Sequence, residues 1–196
     1  MLRANRSSPI TTMLRNTRES WGGAARLLHW GMALLVFIQF ALGWTAVEWR
    51  LSPLKLNLFV WHKSIGILIL VLLVVRIGWR LANPTPATAA AMPLWERRTA
   101  YLSHLLLYLL LVAMPLSGWV VSSASGVPFQ VFWLFPLPEI AAPAKETADG
   151  AAAIHLTLFV VLALLLIVHI GAALRHHYVK RDDVLVRMLS STRRPR

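Results

Sequence analysis

The sequence predicts an all-α integral membrane protein, a four-helix bundle with both termini on the cytoplasmic side. Three observations carry that expectation. Of the 196 residues, 57% are apolar and 14% charged, and the mean hydropathy is +0.60, too greasy for an ordinary soluble domain. Four apolar runs, at about 27–47, 58–81, 99–121 and 153–175, each reach the roughly 20 residues that cross a bilayer. Finally, 16 of the 20 Lys and Arg lie in or beside the N-terminal tail, the connection between the second and third runs, and the C-terminal tail. Those segments share one side of a four-span protein, and the positive-inside bias makes that side cytoplasmic. The same distribution explains the net charge of +12 by topology, so no nucleic-acid partner is expected.

The elements follow in order. Residues 1–20 form a polar, Arg-rich tail, read as a cytoplasmic extension because no apolar core with a cleavage site follows it; Met1 and Met13 both stay open as starts. Residues 21–190 form the four-span domain. The first span carries His29 near its beginning, and a short connection with Arg50 and Lys55 leads to the second. That span has His62 in its first turn and Arg76 deep in its last third. A Pro/Ala linker (NPTPATAAAMP) cannot continue the helix. The third span holds His104, Tyr108 and Met114–Pro115, where a kink is expected. The next connection is aromatic and proline-rich around Val127–Pro138, which suits the membrane interface. It reads as either a lid or a docking strip. The fourth span carries His155, His169 and, just beyond, His176–His177. Residues 191–196 are a basic tail.

The histidines carry the chemistry. Cysteine is absent, which excludes disulfides, thiolate metal sites, cysteine-held iron–sulfur clusters and covalently attached haem. Counting spans sorts the imidazoles by depth: His62 and His155 near the outer face, His29, His169 and His104 near the inner one. His155 and His169 are 14 positions apart, so they share a stripe within roughly 40° and lie about 21 Å apart along the axis. Histidines in single spans can hydrogen-bond across helices. Four that pair by depth point instead to two haem irons, each held by one imidazole above and one below. Arg76, 14 residues after His62, lies at the depth of the inner pair, where it either neutralises a haem propionate or reaches for headgroups. His104 reads as a supporting hydrogen bonder and Met114 as packing.

Several motifs together resemble the bacterial di-haem cytochrome b561 family. They are RLLHW at 26–30, WHKSIG at 61–66, VVRIGWRL at 74–81, SHLLLYLLLVAMPLSGW at 103–119, IH at 154–155 and HIGAALRHHY at 169–178. The resemblance covers about residues 20–190, and the long N-terminal tail departs from it. It implies two b haems ligated by His29 with His169 and His62 with His155, in a multi-pass protein of the bacterial inner membrane. It also implies a quinone at one end, associated with the histidine matching His176, and superoxide oxidation in some members.

On that basis superoxide is expected to give up its electron outside, and ubiquinone to be reduced. Lys63, beside His62, with Arg50 and Lys55, forms a cationic funnel for an anion, or else Lys63 is an interfacial anchor. Glu48, Glu139, Glu146 and Asp149 lie on the same side and oppose that field. At the inner end His176 is suited to give a proton or hydrogen bond to a quinone carbonyl, or it simply complements a helix C-terminus. The competing function is a haem anchor passing electrons between quinone and a redox protein such as a dehydrogenase.

Overall fold

The structure is a computed structural model and describes residues 14–18, 20–87 and 92–190. Most of the N-terminal tail and the whole of the 191–196 tail lie outside the described residues. Four long helices follow one another: α1 (Gly23–Glu48), α2 (Pro53–Ala82), α3 (Leu94–Ala124) and α4 (Lys145–Arg175). All four are long and apolar enough to cross a membrane.

Each helix is longer than its apolar run, because the backbone continues into polar flanks that satisfy its ends locally. At the start of α2, Ser52 accepts from the Lys55 amide at 3.3 Å and Pro53 occupies the first helical position, both favourable there. The first turns of α4 are polar and carry a Lys145–Asp149 pair at 2.6 Å. Pro115 lies inside α3, which continues through it.

Backbone packing joins α1 to α2, α2 to α3 and α3 to α4. Against α1 and α2, α4 meets its neighbours through rings: Phe40–Phe159 at 4.9 Å, His29–His169 and His62–His155. Met32, Val36, Ile65, Ile69 and Leu73 form one buried cluster, and Leu107, Leu110 and Leu162 a second. Phe40, Leu111 and Leu166 touch both. Outward, Leu27, Leu34, Val74, Leu109, Leu164 and Ile167 are exposed, the apolar girdle a lipid-facing bundle presents.

The bundle has two different ends. At one, the α3–α4 connection folds into a small antiparallel hairpin, β1 (Gln130–Val131) and β2 (Phe135–Pro136). Its two central residues, Phe132 (φ 49°) and Trp133 (φ 60°), are both left-handed, and Leu134 N–H donates to Val131 O at 2.9 Å. This is a type I′ turn built without Asn or Gly. The sequence had suggested only an aromatic interfacial segment here. At the other end, α4 passes into a π-helical turn (His176–Lys180) and, after left-handed Arg181, a strap ending in the short helix α5 (Val186–Leu189). Trp30 Nε1 donates to Met188 O at 2.8 Å, and Arg187 to Ala87 O at 2.9 Å. The strap thus crosses beneath α1 and the α2–α3 linker.

Candidate functional site

At the hairpin end, His62 of α2 and His155 of α4 face each other with ring centroids 6.2 Å apart and planes at 79°. At the strap end, His29 of α1 and His169 of α4 do the same at 6.4 Å and 69°. Two imidazoles on opposite axial positions of one metal have centroids about 6.3 Å apart, given a metal–nitrogen bond of about 2.0–2.1 Å and about 1.1 Å from nitrogen to ring centre. Both pairs fit that spacing. Among the described residues no group of three or more His, Cys, Asp or Glu could hold a metal ion. The remaining donors of a six-coordinate metal would therefore have to come from a macrocycle, which haem iron brings with it.

The surroundings suit such a role. Gly43 stands so close to His62 that a Cβ there would lie 2.9 Å from the imidazole Cε1. At Gly118 a Cβ would lie 3.2 Å from His155 Cε1. Glycine alone leaves room for the ring at Gly43, and at Gly118 a Cβ would be tight against it. Ser117 Oγ lies 2.8 Å from His155 Nδ1 and donates to Met114 O at 2.9 Å. A hydroxyl whose proton goes to the carbonyl accepts from Nδ1–H and leaves the Nε2 lone pair free to bind a metal. Gln39 Nε2 donates to His62 O at 2.8 Å, fixing the backbone at that histidine. His62 Nδ1 is buried without a hydrogen-bond partner among the described residues. None of these four supporting residues, Gly43, Gly118, Ser117 and Gln39, was singled out by sequence reasoning.

Arg76 reaches the strap-end level. It lies 3.3 Å from His29 Nδ1 and donates to Tyr108 Oη at 3.3 Å and to Ala25 O at 3.5 Å. No carboxylate pairs with it among the described residues. His104 joins the same level, its ring centroid 5.4 Å from that of His169. That is short of the axial spacing, and its Nδ1 donates to Ala100 O at 2.7 Å.

The expected cations of the hairpin end are not gathered together. Lys63 turns inward, donating to Ser122 Oγ at 2.9 Å and lying 5.4 Å from the Phe129 ring centre. Lys55 folds onto the end of α1, donating to the Val47 and Trp49 carbonyls. Arg50 is exposed in the short α1–α2 connection. Of the four acids on that side, Asp149 is paired with Lys145 and none is paired with Lys63. A cavity of about 140 Å³ lies beside this region, lined by Trp119, Ser122, Phe129 and Glu139 among others.

At the strap end His176 opens the π-helical turn. Its Nδ1 lies 2.5 Å from Asp182 Oδ2. His177 instead packs edge-on against Tyr178. Nearby, Glu96 at the start of α3 is buried between Arg175, at 3.3 Å, and Lys180. The paired cations offset the cost of burying that carboxylate.

Comparison with known proteins adds an independent line. The family described as prokaryotic cytochrome b561 matches residues 20–191. The chain is 38% identical over 183 residues to "Cytochrome b561 homolog 2" of Escherichia coli (strain K12), covering 90% of this chain and 95% of the relative. It is 32% identical to the "Probable superoxide oxidase CybB" of Yersinia pestis, over 85% and 93% of the two chains. It is 29% identical to "Cytochrome b562" of Cereibacter sphaeroides, over 83% and 90%.

Proposed function

The chain belongs to the prokaryotic cytochrome b561 family, membrane electron-transfer proteins that bind b-type haem, and on that premise we propose that it carries electrons across the bacterial inner membrane through two haems, from superoxide outside to ubiquinone. The observation that carries this reading is the duplicated ring-to-ring spacing of His62–His155 and His29–His169 at opposite ends of one bundle, which would fit a haem iron between each pair. When bound, haem iron with two imidazole ligands supplies one-electron exchange with no open position for oxygen chemistry at the metal.

The chain's own residues would do the rest. His62 and His155 hold one group and His29 and His169 the other, with Ser117 and Gln39 fixing two of the ligands. An imidazole bound through Nε2 carries its proton on Nδ1 and cannot accept from a guanidinium. Arg76 is therefore expected to turn from His29 to an anion, and a haem propionate is the anion to hand. Both termini are assigned to the cytoplasm by the positive-inside bias, which puts the hairpin end in the periplasm.

Lys63 and Arg50 are assigned the attraction of superoxide at the hairpin end. Supporting this, Lys63 adjoins ligand His62 and its charge is not neutralised by a carboxylate among the described residues. The superoxide assignment leans on a relative named a probable superoxide oxidase. The more similar relative carries no such term in its name. The second reading, a haem anchor serving quinone and a redox protein, is favoured by the exposed apolar tip Trp133–Leu134–Phe135, which offers such a protein a surface.

Stopped-flow mixing of the purified haem-loaded protein with superoxide separates the two. Rapid haem reduction followed by ubiquinol formation is the expected result. Haems that stay oxidised under superoxide yet reduce with quinol would leave the anchor reading.

A further inference from the structure

The strap does more than close one end of the bundle, because its first carboxylate is aimed at His176. After the π-helical turn, Arg181 takes a left-handed conformation (φ 54°), and the Asp182 amide donates back to His176 O at 3.1 Å. The chain therefore reverses and brings Asp182 beside the imidazole it has just passed. The two carboxylate oxygens are divided. Oδ1 accepts from the Val184 amide at 3.1 Å, and Oδ2 meets His176 Nδ1 at 2.5 Å. The side chains of His176 and Asp182 are 13% and 22% exposed, so the pair is sheltered yet reachable.

Three neighbouring cations are engaged by other carboxylates. Arg175 and Lys180 are drawn to Glu96, and Arg187 to Asp183 at 2.9 Å. Trp30 and Arg187 pin the strap through Met188 and Ala87. On the same turns Leu174, Tyr178 and Val179 are exposed. The pair therefore sits where an apolar surface meets a polar one, the boundary that a lipid-dissolved quinone must approach with its carbonyls.

Resting on the assignment of quinone reduction to this end, we propose that Asp182 is the positioning residue of a His176–Asp182 proton relay that protonates the quinone. A carboxylate at Nδ1 keeps the proton there and leaves Nε2 to meet a quinone carbonyl. Reduction of one quinone to quinol takes two electrons and two protons. The electrons come from two superoxide ions, each oxidised to dioxygen. Each proton passes from His176 Nε2–H to a quinone carbonyl oxygen. The neutral imidazole then regains a proton on Nε2 from cytoplasmic water, while Nδ1–H stays hydrogen-bonded to Asp182 throughout.

The test uses the full-length haem-loaded protein, superoxide and a short-chain ubiquinone, with D182N, D182E and H176N variants. Haem content and haem reduction by superoxide are expected to match wild type in all three. Ubiquinol formation is expected to fall by about ten-fold or more in D182N and H176N, a modest share of what general acid catalysis supplies. It should acquire a larger solvent deuterium isotope effect in D182N and recover in part in D182E. A slow H176N beside a D182N of wild-type rate and isotope effect would overturn the relay while keeping His176 at the quinone. Wild-type rates in both would overturn the placement of quinone at this end. Lost haem or slowed haem reduction in D182N, with no change in isotope effect, would reduce Asp182 to a strap residue and overturn the relay.

Discussion

Gly43 and Gly118 set a limit on what can stand opposite the hairpin-end imidazoles. Glycine inside a helix costs about 1 kcal/mol relative to alanine, so its use in α1 and α3 calls for a compensating contact. The Cβ positions, 2.9 Å from His62 Cε1 and 3.2 Å from His155 Cε1, supply one. The first distance is too short for any real contact, while the second needs a shift of only a few tenths of an ångström. Gly43→Ala is therefore expected to displace His62 and to cost most of the hairpin-end haem, read as a fall in the haem-to-protein ratio by the pyridine haemochrome assay. Gly118→Ala should lose less. Gly150, whose Cβ would meet nothing within 4 Å, is the control: Gly150→Ala should keep all haem and gain up to about 1 kcal/mol. The histidines themselves were legible because depth and angle along a helix follow from counting. The glycines were not, since their importance arises from an element far away in the chain that packs against them.

The hairpin shows the same divide between local and distant causes at the scale of an element. The composition of Val127–Pro138 was readable as interfacial, but Phe-Trp is a poor signal for a type I′ turn, which favours Asn-Gly. Left-handed backbone at two bulky residues costs on the order of 1–2 kcal/mol each. Contacts with α2 offset that cost. Ser64, fully buried, accepts the Phe132 amide at 2.8 Å. Trp61 takes Phe132 at 5.7 Å and Trp133 at 5.5 Å on its ring. Ser64→Ala would leave a sheltered amide without its acceptor, at a cost of about 1–3 kcal/mol. The expected readouts are faster hydrogen exchange in the peptide spanning 127–138 and a lower thermal midpoint, with superoxide-driven haem reduction altered in rate rather than abolished. Unchanged exchange would mean that the turn is held by its rings alone. The helices were easier to read than the hairpin because each satisfies its backbone internally, whereas the hairpin depends on a partner 68 residues away.

At the scale of the whole molecule, α4 contributes one histidine to each facing pair, and the proposed function gives the bundle a direction, with superoxide met at the hairpin end and quinone protonated at the strap end. The order of the four spans was legible from hydropathy and charge. The strap was not, because Trp30–Met188 and Arg187–Ala87 join segments that no local periodicity relates. If the two pairs act in series, the ligands on α4 are not interchangeable. His169→Ala is expected to lose the strap-end haem, keep the hairpin-end haem reducible by superoxide, and bring ubiquinol formation to background. His155→Ala should do the reverse, leaving a strap-end haem that ubiquinol reduces and superoxide does not. Both are read by low-temperature difference spectra of the haem bands alongside quinol assays. Ubiquinol formed at the wild-type rate by His169→Ala would mean that quinone is reduced from the hairpin end. The 21 Å or so along α4 between its two ligands would then separate the reaction from the strap, and Lys63 rather than His176 would be the nearest proton donor to it.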